Sequence, residues 1–474
     1  MRKVALIIFI ILSLMHVIFG AVVYAEDLKP RHAPNTLPGV EPEMLNPEYW
    51  ISLHDDADTV IMTEAEIGAF NEKVRNKSVG FRDYYGKPDP LERDYVLNLS
   101  QGLNMNPMQI LDLPGTVSGD SLRIRFQSNI EWLYSRDFYD NRNATYSDEM
   151  RDDIVDDMNI IAIPDVIERR FGIFVNHINV RIFPTDVPGY SDTQWELDYF
   201  QSTGTCLGNP VAVLHQSTDG EFLYVESPIT RGWVSTTDVA FADRDDISAL
   251  TEDTNVLMAA EHTVPVYSDP SCRNFSRYMY MSATMPYIGR NGDGYIVKMA
   301  NRLNDGSLGL TNGYIRPGAD VHIGRLSYTK RNIINQLFKL LNKPYGFHDQ
   351  DNKRSCAGTM RILLRCFGII TGRTPSFLLS APDEQFYMNP GLSTDLKIAE
   401  ADKLEPVITM AGNAFHIVLY LGKARNGELY FMHQAGWGYD DDDGRHLIVN
   451  RTSLNWVRHK WYDIHRPNVF ATFR

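Results

Sequence analysis

Cysteine is scarce in this chain: Cys206, Cys272, Cys356 and Cys366 are the only four among 474 residues. So few thiols cannot staple a protein of this size, which excludes a disulfide scaffold. An oxidising compartment would permit a Cys206–Cys272 bridge, but nothing in the sequence requires one. Positive charge is also short, with 46 Lys and Arg against 60 Asp and Glu and a net charge of −14. Phosphate backbones are held by basic faces, so nucleic acid is not an expected partner. Long apolar runs are missing after the first 20 residues, where no segment reaches the roughly 18 apolar residues that span a bilayer. No glycine-rich loop stands between a strand and a helix, so a phosphate cradle is not expected either.

What is present begins at the N-terminus. Arg2-Lys3, an apolar run over residues 4–19 and the small-residue site Val23-Tyr24-Ala25 describe a secretory signal peptide over residues 1–25. Left uncleaved, the same run would serve as a membrane anchor. The mature chain is expected to be a soluble monomer, periplasmic or secreted. Its remaining length is too great for one core and suggests about three domains.

Residues 26–165 read as a Pro-rich lead-in followed by a mainly helical region. Thr63 with Glu66 three positions on forms a capping box ahead of Ile67 and Phe70. From residue 166 the pattern turns to short β runs. Asp219-Gly220 stands between two alternating apolar runs, a strong hairpin signal. Asp293-Gly294 answers it 74 positions later, and Gly313-Tyr314-Ile315 answers Gly232-Trp233-Val234 at a spacing of 81. The repeat predicts two β-barrel modules, over 166–247 and 248–325; one irregular β-sandwich is the alternative. From 326 to 474 the chain reads as α+β, with Ile333, Ile334, Leu337, Phe338 and Leu341 at helical spacing.

Chemistry concentrates in this last region. Met360, Leu363, Leu364 and Phe367 follow Cys356 at i, i+3, i+4, i+7 spacing, one apolar stripe of a helix. Ser355 is a good N-cap and puts Cys356 in the first turn. There the free N–H groups favour a thiolate and could hold an oxyanion. The plain alternative is a small buried hydrophobe, the natural reading for Cys366. A thiol nucleophile needs a base and the base needs an orienting partner. Residues 415–421 and 429–433 read as two strands joined by Asn426-Gly427. If their loop holds an even number of residues, His416 and His433 share one face.

These residues resemble the NlpC-type cell-wall cysteine peptidases, a papain-like family. Tyr345 stands eleven positions before Cys356. Ser355-Cys356-Ala357-Gly358 takes the place of the family's Asp-Cys-Ser-Gly. "HIVLYLG" begins at His416, and His433 follows on the next strand. The resemblance implies Cys356 as nucleophile, His416 as base and His433 as its orienting partner, with Tyr345 and Ser355 beside the oxyanion and substrate. It also implies the fold class: an α+β papain-like domain preceded by two all-β SH3-like barrels and a mainly helical N-terminal region. The implied reaction is hydrolysis of the γ-D-glutamyl to diamino acid bond of peptidoglycan stem peptides through a thioester, without a cofactor. In family members specific for a free N-terminal L-Ala, the Asp before the Cys helps bind the amine, and Ser355 supplies no such charge. The family's Gly-Gly after the aromatic is replaced by "HDQDNK", which predicts an altered loop at the site. A wall-binding scaffold with a weakened site, or an acyltransferase on the same fold, are the competing readings.

The remaining candidates have plainer explanations. The acidic run Asp440-Asp441-Asp442-Asp443-Gly444 lacks the alternating spacing of a calcium loop and reads as a solvated turn. His459 and His465 lack a cysteine pair, so no metal is expected. Trp195, Trp233 and Tyr314 could stack on a ligand, but small barrels also need aromatic filling.

Overall fold

The computed structural model describes residues 31–32, 36–75, 110–191, 197–251, 255–389, 391–413, 415–436, 438–440, 446–456 and 469–474. The expected signal segment, Trp195, residues 441–444 of the acidic run, His459 and His465 lie outside these. All four cysteines are free and buried, so Cys206 and Cys272 are not bridged. Among the described residues no helix is long and apolar enough to cross a membrane.

The described parts of the helical N-terminal stretch pack in two different places. The first part carries α1 (Pro47–Ile51) and α2 (Glu64–Arg75). The capping box is present: Thr63 N donates to Glu66 Oε2 at 2.8 Å and Glu66 N to Thr63 Oγ1 at 3.3 Å. Leu37, Met44, Trp50 and Ile67 join the buried core of the C-terminal region. Lys330, 5% exposed, bonds Asp56 at 2.8 Å and Glu405 at 2.5 Å, and Arg331 grips Asp58 with two bonds. The second part, α3 (Gly119–Tyr134) and α4 (Asp148–Asp157), buries Leu122, Phe126 and Ile154 against the first β unit.

That unit is a seven-stranded sheet of β1 (Arg170–Phe174), β2 (Ile178–Arg181), β3 (Gln201–Thr205), β4 (Pro210–Gln216), β5 (Phe222–Glu226), β6 (Arg231–Ser235) and β7 (Val239–Phe241), in the order β7-β1-β4-β5-β6-β2-β3. The expected hairpin joins β4 and β5, with Gly220 at φ +77 in its turn. Trp233 is fully buried and stacks on Phe126 with ring centres 5.3 Å apart, so it fills the core. After α5 (Arg244–Thr251), a second seven-stranded sheet follows. It comprises β8 (Val256–Ala259), β9 (Thr263–Tyr267), β10 (Phe275–Tyr280), β11 (Thr284–Asn291), β12 (Gly294–Arg302), β13 (Leu308–Ile315) and β14 (Val321–Ile323). Its order is β10-β9-β13-β12-β11-β8-β14. Gly232-Trp233 and Gly313-Tyr314 lie on β6 and β13, so the sequence repeat marks strands inside the two sheets.

The C-terminal region carries α6 (Lys330–Phe338), α7 (Cys356–Arg365), α8 (Pro375–Ser380), β15 (Glu384–Tyr387), α9 (Thr394–Ala401) and the strands β16 (Thr409–Gly412), β17 (Ile417–Lys423), β18 (Leu429–Ala435), β19 (Arg451–Trp456) and β20 (Val469–Thr472). They form one antiparallel sheet in the order β15-β20-β16-β17-β18-β19. Helix α7 lays its stripe of Met360, Leu363 and Leu364, all at most 2% exposed, on β17 and β18. Burying such side chains stabilises by about 1.5–3 kcal/mol each, which presses the helix carrying Cys356 against the strands that bring the two histidines.

Candidate active site

Ser355 caps α7: its Oγ accepts from Gly358 N at 3.0 Å. Cys356 therefore begins the helix, as the sequence suggested, but only 7% of it is exposed. Its Sγ lies 3.9 Å from the carbonyl oxygen of Phe415, which immediately precedes His416. Burial pushes the thiol up to about 11, against the backbone amides of Ile417 and Ala357, which favour the thiolate. Desolvation thus outweighs the helix end, and the resting group is a protonated thiol.

His416 Nε2 and His433 Nδ1 are 2.6 Å apart, so one ring donates to the other. Their parity depends on a bulge. The turn between Lys423 and Leu429 holds five residues, an odd number that would set the two histidines on opposite faces. The register then shifts between Tyr420 and Gly422, and beyond the shift Leu419 faces Met432. The extra residue restores the common face, and Gly422 takes the bend with φ +104. Asn413 fixes the start of the strand: its Oδ1 accepts from Phe415 N at 2.9 Å and His416 N at 3.0 Å. His433 is fully buried, and burial together with the neighbouring His416 holds it well below its ordinary range, so it is neutral at neutral pH. A neutral His433 can only fix the tautomer of His416; it does not supply charge.

Tyr345 is partly exposed, and its ring covers Gly436, where a Cβ would come within 2.3 Å of Cε1. Burial, then the nearby Cys356 thiol and Asp349, raise its hydroxyl far above the usual value, so it remains a donor. The loop "HDQDNK" has its own shape. Within residues 347–352, His348, Asp349 and Asp351 take positive φ, and Asn352 follows at φ +59. It brings Asp349 under the helix start, where Oδ1 accepts from Ser355 N at 2.8 Å and Ser355 Oγ at 2.9 Å. Its Oδ2 accepts from Arg361 Nη2 at 3.1 Å.

Cys356, Ser355 and Tyr345 thus meet at one end of α7, and His416 meets His433 on the adjoining strands. Sequence reasoning missed Asp349, Arg361 and Asn413. Asn413 had a local signal, an Asx residue three positions before the histidine. Asp349 had none, because its role depends on a left-handed backbone that no spacing rule describes.

A family model described as SH3 domain (SH3b1 type) matches residues 188–235, within the first β unit. The structure of an NlpC/P60 endopeptidase from Photobacterium damselae subsp. piscicida aligns over 94% of this chain and 99% of its own, with TM-score 0.69 and 16% identity. An NlpC/P60 family protein from Bacillus cereus ATCC 10987 aligns over 64% of this chain and 98% of its own, with TM-score 0.46 and 12% identity. No curated protein sequence matches the chain. The chain therefore has the fold of an NlpC/P60 endopeptidase structure and includes an SH3-type domain.

Proposed function

We propose that this protein is a cysteine peptidase acting on peptidoglycan, and that it hydrolyses the γ-D-glutamyl to diamino acid amide bond of stem peptides. The observation that carries this reading is the buried His416–His433 bond beside the helix-start thiol of Cys356, on a fold shared with an NlpC/P60 endopeptidase. In this reading Cys356 Sγ attacks the amide carbonyl carbon while its proton passes to His416, whose orientation His433 fixes. The amides at the start of α7 and the Tyr345 hydroxyl donate to the oxyanion. Collapse breaks the C–N bond, His416 gives its proton to the departing amine, and water then hydrolyses the thioester. Because the resting thiol is protonated, proton transfer accompanies attack and no thiolate is stored beforehand.

The second β unit is read as another SH3-like module, giving domains over 26–165, 166–247, 248–325 and 326–474 behind an export signal over 1–25. Peptidoglycan is the expected partner, and the place of action is outside the cytoplasm. Mass spectrometry of products from sacculi and from free stem peptides tests the proposal. Wild type should yield fragments cut at that bond and Cys356→Ala none. Cleavage by Cys356→Ala at the wild-type rate would refute the nucleophile, and wall binding by both proteins without cleavage would leave a scaffold.

A further inference from the structure

The loop 347–352 has an unusual support. Four left-handed residues in one short loop, even of the His, Asp and Asn types that tolerate this backbone best, are held by their surroundings. Here those surroundings come from the first β unit. His348 Nδ1 lies 2.8 Å from Gln201 O, Asn179 Nδ2 donates to Asp351 Oδ1 at 2.9 Å, and Asp351 N donates to Asn179 Oδ1 at 3.0 Å. Phe347 packs on Tyr199 with ring centres 5.4 Å apart. Strand β3 is the last strand of its sheet, so one side of its backbone is left for other partners. The catalytic region takes them up: Arg373 donates to Ser202 O and Arg361 Nη2 to Gly204 O at 3.4 Å. Between these anchors, at His348 and Asp351, stands Asp349, the acceptor for both Ser355 donors.

We propose that Asp349 is a positioning residue for Cys356, and that through it the β2–β3 edge of the first β unit sets how the nucleophile is presented. The contacts form one chain: Asn179 and Gln201 hold the loop, the loop aims Asp349, Asp349 fixes Ser355, and Ser355 caps the helix that starts at Cys356. The role rests on the reading of Cys356 as nucleophile given above. It differs from walling a substrate cleft, because no link in the chain needs to touch substrate. The ionisable groups around the thiol are Asp349 with its partner Arg361, Tyr345, and His416 backed by His433.

Asp349→Ala would strand the buried Arg361, so the test uses Asp349→Asn and, in the first β unit, Asn179→Ala, both in the full chain. Three quantities are read: thermal melting, kcat and KM on a stem peptide cut by wild type, and the pH profile of Cys356 alkylation by iodoacetamide, followed by peptide mass spectrometry. An amide at 349 cannot accept from both Ser355 and Arg361, so kcat should fall about tenfold with KM changed less than about twofold. The midpoint of alkylation should move to lower pH, because a negative neighbour is removed. Asn179→Ala should lower kcat about threefold in the same pattern. Folded variants with wild-type kcat and an unmoved alkylation profile would overturn the proposal, as would a loss confined to KM. If Asp349→Asn does not fold, Asn179→Ala decides alone. Full activity in Cys356→Ala would instead defeat the nucleophile reading, an outcome the variants at 349 and 179 cannot mimic.

Discussion

Gly204 and Asp349 approach so closely that a Cβ on Gly204 would lie 2.2 Å from the Asp349 carbonyl oxygen. The obstacle is backbone, which cannot rotate away. Gly204→Ala should destabilise by about 1–3 kcal/mol and lower kcat, since the displaced loop carries the acceptor for Ser355. Melting curves and steady-state kinetics on the same preparation check both effects; a melt and a kcat equal to wild type would mean the loop does not feel β3.

The two cysteines of α7 and its C-cap should separate cleanly. Cys366 is fully buried and its thiol donates to Ile362 O at 3.3 Å, so Cys366→Ala should cost about 1 kcal/mol of stability and leave kcat intact. At pH 8 native Cys356 should alkylate more slowly than the denatured chain, because burial lifts the folded thiol to about 11 while an unfolded thiol ionises near its ordinary value of about 8.5. A neutral plateau of alkylation in the native protein would show a preformed thiolate.

Acid should weaken the fold before most carboxylates titrate. His348 and His262 are pushed down to about 4, largely by burial, and His433 and His177 are held well below the ordinary value of 6.5. Each binds a proton more readily unfolded than folded, so stability is full above pH 6.5 and is lost as pH falls from there towards 4. Urea midpoints measured from pH 8 to pH 4 should be level above 7 and decline below 6.5. A midpoint constant down to pH 5 would contradict this.

The histidine pair depends on one bulge. A Cβ at Gly422 would meet Pro406 at 2.8 Å, and its φ of +104 suits only glycine. Gly422→Ala should therefore cost about 1–3 kcal/mol and reduce activity more than its stability loss explains, because His416 and His433 lose their common face. Activity that merely follows the folded fraction would show the register to be set elsewhere.

Local signals carried much of this in the sequence: the Ser355 cap, the apolar stripe after it, the Thr63 capping box and the Asp219-Gly220 turn all stand in the fold as read. The histidines were legible only as a condition, since spacing gives loop parity but not a bulge. Asp349 was out of reach, because its loop is held from far upstream, His348 by Gln201 O at a separation of 147 residues and Asp351 by the Asn179 side chain at 172. Trp233 shows the opposite case, where an aromatic that could stack on ligand is claimed by the core because α3 brings Phe126 to it.

The core that holds α7 and the sheet β16–β18 also contains Leu37, Trp50 and Val74 near one end of the chain and Phe470 and Phe473 at the other. A growing fragment cannot complete this core until the strand Val469–Thr472 has been made. The core around α7 thus forms only once both of these distant segments are available. The two β units are likewise tied at both their ends to the same body, so they cannot swing away on a single tether, and proteolysis between them would leave the halves still gripping one another.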